Sequence, residues 1–96
     1  NIDLRDNTKG EFVLYQNEPN PFTEYTMISF EMPQGGSAIL SLFDVTGKVL
    51  KVIQGNYEAG YNSVKVSDED LDVPGMIYYK LQTGEHTATR HMVVIK

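Results

Sequence analysis

The sequence predicts an all-β domain, an antiparallel β-sandwich of about seven strands. Three observations predict it. From Phe12 onward, short β-rich segments alternate with turn residues every ~8–12 residues, the rhythm of two packed sheets. In several of those segments apolar residues fall at every second position, the period of a strand with one buried face. No window sustains a helical period, because Gly or Pro interrupts each candidate.

Residues 1–10 are polar and without an apolar period, so they are expected to be a linker or the tail of a preceding domain, with residues 11–96 as the folded unit. The first strand is expected over Phe12–Gln16. Pro19 and Pro21 withhold backbone donors and keep the chain extended. Pro19-Asn20-Pro21-Phe22 is therefore expected to be a link and not a central strand, with Phe22 as its apolar anchor. The second strand is expected over Thr26–Met32, with Ile28, Phe30 and Met32 on one face. The turn Gln34-Gly35-Gly36-Ser37 leads into Ala38–Asp44, where Ala38, Leu40 and Leu42 share a face. The turn Val45-Thr46-Gly47-Lys48 leads into Val49–Gln54, and Gly60 precedes Tyr61–Val66. An acidic loop, Ser67–Asp72, separates that strand from Met76–Gln82, with Ile77, Tyr79 and Leu81 on one face. Thr83-Gly84 then turns the chain into His86–Ile95, whose Met92-Val93-Val94-Ile95 run is too apolar for a free tail. Gly47 and Gly84 fall late in short turns, where a positive φ is expected. Short connections make neighbouring strands antiparallel. Seven of them hide their apolar faces only as two packed sheets, an immunoglobulin-like arrangement.

Composition narrows the function. A chain of 96 residues forms one small domain, which buries roughly 60–65% of its unfolded surface. That suffices for one core and not for a deep catalytic cleft as well. Apolar content of 41% and charged content of 22% mark a globular chain. The net charge of −5 argues against nucleic acid and anionic membrane surfaces, because phosphate contacts need clustered Lys and Arg. With no cysteine there is no disulfide framework, thiolate metal site or Cys nucleophile. The apolar runs are too short for a transmembrane helix. The chain starts at Asn1 without Met or a signal peptide and is read as a fragment of a longer protein.

Chemistry-bearing residues are sparse. His86 and His91, five apart on one expected strand, point to opposite faces and do not share a metal. The run Asp68-Glu69-Asp70 with Asp72 offers oxygen ligands for Ca²⁺, but Val73 stands where an EF-hand loop needs Gly, so a solvated loop is expected. No Gly-x-Ser-x-Gly elbow is present and the only histidines lie on the last strand, so no nucleophile has a base and no enzyme is expected. Tyr57, Tyr61, Tyr78 and Tyr79 are candidates for a sugar-stacking platform. Alternation puts Tyr78 and Tyr79 on opposite faces, and packing aromatics are the expected account. Asp44 and Lys48 flank a turn whose residue types turn chemistry explains by itself. No cofactor is expected.

Six pieces, in order, carry a resemblance. They are Leu14-Tyr15-Gln16-Asn17-Glu18-Pro19-Asn20-Pro21-Phe22, then Thr26-Met27-Ile28-Ser29-Phe30 with Pro33, then Leu40-Ser41-Leu42-Phe43-Asp44-Val45-Thr46-Gly47-Lys48. Ala59-Gly60, Gly75-Met76-Ile77-Tyr78-Tyr79-Lys80-Leu81 and Arg90-His91-Met92-Val93-Val94-Ile95-Lys96 complete the set. Together they resemble the type A C-terminal sorting domains of the type IX (Por) secretion system. Ile77, His91 and Val66 depart from that pattern, standing where Tyr, Lys and Trp are frequent. The resemblance implies a folded address at the end of a cargo protein that crosses the periplasm, passes the outer membrane and reaches the cell surface or medium. It implies the outer-membrane machinery, a sortase-like peptidase that removes the domain, and the preceding cargo domain as partners; weak self-association into a homodimer is left open. On the same ground the recognition candidates are Pro19, Asn20, Pro21, Asp44, Gly47, Lys48, Gly60, Gly75, Tyr79 and Lys96. Two other readings stand beside it: a flagellar hook-cap-like immunoglobulin module, whose opening Pro-Asn-Pro-Phe segment is similar, and a carbohydrate-binding β-sandwich. Position in the full-length protein separates them, since a sorting domain must come last.

Overall fold

The computed structural model describes residues 11–71 and 74–95. Seven strands form: β1 (Val13–Leu14), β2 (Tyr25–Met32), β3 (Gly36–Phe43), β4 (Val49–Tyr57), β5 (Gly60–Ser67), β6 (Gly75–Gln82) and β7 (Thr87–Val94). They make a three-stranded sheet in the order β1-β2-β5 and a four-stranded sheet in the order β4-β3-β6-β7. Every strand pair is antiparallel, which the short turns impose on β3–β4 and β6–β7.

The alternating residues meet between the sheets. Ile28, Phe30 and Met32 of β2 face Ala38, Leu40 and Leu42 of β3 and Ile77, Tyr79 and Leu81 of β6, and all nine are buried. Met92 and Val94 of β7 join them, so the last strand is part of the core. A shift in register between Leu42 and Phe43 marks a bulge in β4, and Leu50 beside it packs against the core. Bulges re-aim a side chain in this way without ending the strand.

Several boundaries differ from expectation. The first strand shrinks from five residues to Val13–Leu14; Asn17 turns inward, and past Leu14 the pairing with β2 continues through the Tyr15 N–H to Ser29 O bond (3.0 Å) and an isolated bridge, Glu18 to Met27. β4 runs on to Tyr57, whose ring meets Phe30 edge-on at 5.1 Å. His86 lies outside β7 and stacks on Phe12 at 4.9 Å, while His91 sits on the outer face against Tyr78. Gly47 has the expected positive φ, +92°, but Gly84 does not. The β6–β7 turn is closed instead by Thr83, whose backbone N–H and hydroxyl both bond His86. The acidic loop begins as a 3₁₀ turn, Asp68–Asp70, capped by Ser67 Oγ, and Leu71 behind it is fully buried. Asp72 of that loop lies outside the described residues, as do residues 1–10 and Lys96.

Candidate recognition surface

The segment from Tyr15 to Phe22 is a strap that closes one side of the sandwich. Backbone pairing to β7 holds its far end. Phe22 N–H donates to Val93 O (3.1 Å), Ile95 N–H donates to Phe22 O (2.9 Å), and Asn20 Oδ1 accepts from Val93 N–H (3.0 Å). The Phe22 ring is 2% exposed. A strand edge presents unpaired donors and acceptors, and here the strap satisfies those of β7. The Glu18–Pro19 and Asn20–Pro21 peptides are both cis.

Buried polar contacts fix the middle of the strap. Tyr79, fully buried on β6, donates its hydroxyl to Tyr15 O (2.8 Å) and accepts from Asn17 N–H (3.0 Å). Burial pushes the Tyr79 phenol up, and the Asn17 N–H and nearby Arg90 oppose that only in part, so the ring serves as a neutral pin. Asn17 Nδ2 donates to Pro19 O (3.1 Å) and Thr26 Oγ1 (3.0 Å), and the Thr26 hydroxyl donates to Pro19 O (2.9 Å). Gln16 Nε2 reaches His91 O (2.7 Å), and Arg90 Nε reaches Leu14 O (2.6 Å). The bonds with Tyr79, Thr26, His91 and Arg90 tie the strap and β1 to their neighbours, and those of Asn17 and Thr26 satisfy polar groups that are buried.

Removing the Tyr79 hydroxyl isolates two of those groups. Tyr79→Phe is expected to cost about 1–3 kcal/mol, because the Asn17 N–H and Tyr15 carbonyl lose their partner while the ring remains. Urea unfolding checks it. A midpoint unchanged from the parent would mean that water satisfies both groups.

The β3–β4 turn is built around Asp44. Its Oδ1 accepts from Thr46 N–H (2.9 Å), the Thr46 hydroxyl (2.7 Å) and Lys48 N–H (3.0 Å). Asp44 and Lys48 also pair through the backbone at 3.0 Å, and Gly47 supplies the left-handed φ that an L side chain resists. The Thr46 hydroxyl, followed by the Lys48 N–H, holds the Asp44 carboxyl below the ordinary value of 3.8. A depressed carboxylate contributes its full share above the unfolded value and loses it as pH falls through the folded one. The amide resonances of Thr46 and Lys48 are expected to titrate together, with a midpoint below the ordinary aspartate range. A midpoint at or above that range would remove the bond network as the cause.

The strand register sorts the candidate residues. Phe43 pairs with Tyr78 and Gly75 with Val94, while Phe22 bridges to Val94. The β3–β4 turn, the start of β6 and the strap are thus gathered at one end of the sandwich, bringing Pro19, Asn20, Pro21, Asp44, Gly47, Lys48 and Gly75 to it. Gly60, opposite Met32, opens β5 at the other end. Tyr79 lies inside, and Lys96 is outside the described residues. Sequence reasoning did not single out Asn17, Thr26 or Arg90 for these contacts. Arg90 carried a signal: it occupies an inward slot of β7, in phase with Ala88, Met92 and Val94. Thr26 carried the same signal, an inward slot of β2 in phase with Ile28, Phe30 and Met32, whereas Asn17 carried none beyond its place before Pro19. Among the described residues no three acidic or His side chains cluster as metal ligands, and no helix is long and apolar enough to cross a membrane.

A family model described as the secretion system C-terminal sorting domain matches residues 18–96, from the strap through the last strand. The chain belongs to the type IX secretion C-terminal sorting domains. No curated protein and no solved structure matches it. Membership makes the sandwich a secretion sorting signal, implies contact with the secretion machinery, and implies export toward the cell surface or extracellular space. The sorting-domain family is not enzymatic. The match begins at Glu18, so the Leu14–Asn17 part of the opening motif lies ahead of it.

Proposed function

We propose that this sorting domain carries an attached cargo through the periplasm and across the outer membrane, and is cut from it by a sortase-like peptidase. Residues 1–10 act as the linker to the cargo domain and residues 11–96 as the address. The observation that carries this reading is the family match over residues 18–96, which takes in the strap from Glu18 and six of the seven strands. The end of the sandwich that gathers the strap, the β3–β4 turn and Gly75 is the surface read by the machinery, with Lys96 contributing charge. Tyr79 acts indirectly, by holding the strap in place. No enzymatic role is assigned to the domain itself.

Charge reversal tests the surface without touching the core. Lys48 is exposed, and Lys48→Glu with Lys96→Glu is expected to change stability by less than about 0.5 kcal/mol. A fluorescent reporter bearing the doubly changed domain is expected to stall in the periplasm of a type IX-competent host, while the unaltered domain sends it out. Equal export of both would remove these lysines from the recognised surface.

A further inference from the structure

The outer face of the three-stranded sheet carries an aromatic and hydroxyl surface that the core and the β3–β4 turn do not use and that takes in the start of the strap at Tyr15. Tyr61 on β5 is 66% exposed, and Tyr15 just past β1 is 36% exposed. Their ring centroids are 6.2 Å apart at 47°, so the two rings form an open angle and do not stack on each other. Beside them Ser29 and Ser63 meet hydroxyl to hydroxyl at 2.8 Å, and the Tyr61 hydroxyl donates to Ser29 Oγ at 2.8 Å. The Tyr15 hydroxyl donates to the Glu31 carboxylate.

These groups border a depression of about 630 Å³, which also includes Gln16, Glu18 and Met27 in its lining. A second depression of about 790 Å³ shares Gln16, Glu18 and Met27 and continues to Asn20 and Tyr25. The two thus form a continuous groove along the outer face of β2. We propose that this groove is a binding site for an uncharged oligosaccharide. The chemistry of the lining selects that class. An exposed aromatic ring offers an apolar face on which the C–H face of a pyranose can lie. A serine hydroxyl both donates and accepts, and has lone pairs left after the bonds described, matching the mixed donors and acceptors of sugar hydroxyls. Glu18 in the lining and Glu31 behind the Tyr15 hydroxyl set two negative charges against the Lys65 ammonium, which lies over the Tyr25 ring at 4.8 Å, and this balance disfavours sulfated or uronic chains. The site is argued independently of the sorting reading and would be an added property of the domain, although Pro19 and Asn20 of the strap border both surfaces.

The test uses the intact chain, labelled with ¹⁵N and titrated separately with cellohexaose, xylohexaose, mannohexaose and chitohexaose. At least one is expected to bind with a Kd on the order of 1 mM or tighter, the range of a shallow site with few anchors. Its amide shifts are expected at Tyr15, Met27, Ser29, Tyr61 and Ser63. Tyr61→Ala is expected to weaken binding by about tenfold or more, whereas Tyr78→Ala, on the outer face of the other sheet, leaves it unchanged. The titration of the unaltered chain decides the matter even if a variant fails to fold. No shift with any of the four sugars, shifts confined to other surfaces, or equal binding by a folded Tyr61→Ala variant would each overturn the site.

Discussion

Phe22→Ala is expected to lower the unfolding free energy by about 3–5 kcal/mol, the range for truncating a buried aromatic ring. The ring is 2% exposed and belongs to the core cluster, yet it sits on the strap and not on a regular strand. Its loss therefore opens a cavity and releases the segment that pairs with Val93 and Ile95. Small domains hold about 5–15 kcal/mol in all, so the variant should be close to unfolding at growth temperature. Urea denaturation followed by tyrosine fluorescence reads the change. Hydrogen exchange should show the Val93 and Ile95 amides losing protection along with the core. A loss below about 1 kcal/mol would mean that the strap is an appendage and not part of the sandwich.

Leu42→Ala is expected to cost about 2–5 kcal/mol. Leu42 lies on β3, between β4 and β6, and is fully buried, so little of the surroundings can collapse into the space it leaves. Val52→Ala on the outer face of the same sheet provides the comparison: that side chain is 54% exposed, and its loss should stay within about 0.5 kcal/mol. Equal losses at the two positions would reverse the assignment of inner and outer faces.

The inner faces were legible because a strand has a side-chain period of two. Ile28, Phe30 and Met32, with Ile77, Tyr79 and Leu81, declare their burial by spacing alone. Pro19 and Pro21 likewise announced a link anchored by Phe22. The strap's clasp was not legible, because its bonds join residues far apart in sequence: Asn17 meets Tyr79 and Asn20 meets Val93. No local pattern marks an asparagine as buried when its partners arrive from β6 and β7. Leu71 was hidden for a related reason. It follows an acidic run that reads as a solvated loop, while the 3₁₀ turn folds that run outward and sends Leu71 into the core. Gly84 shows the opposite error, since a glycine in a turn suggested a positive φ that the Thr83 bonds make unnecessary. Among the recognition candidates, the spacing of Asp44, Gly47 and Lys48 disclosed one turn. Only the strand register shows that this turn shares an end of the sandwich with the strap and Gly75.

The central claim is that this sandwich is a sorting signal, and export of a neutral passenger tests it most directly. A fluorescent protein with a signal peptide at its start and residues 1–96 at its end would be expressed in a host with a type IX system. The same fusion would be expressed in a strain lacking the outer-membrane translocon. The account predicts passenger at the surface or in the medium of the first host, with retention in the periplasm of the second. Retention in both, with the sandwich shown to be folded, would contradict it.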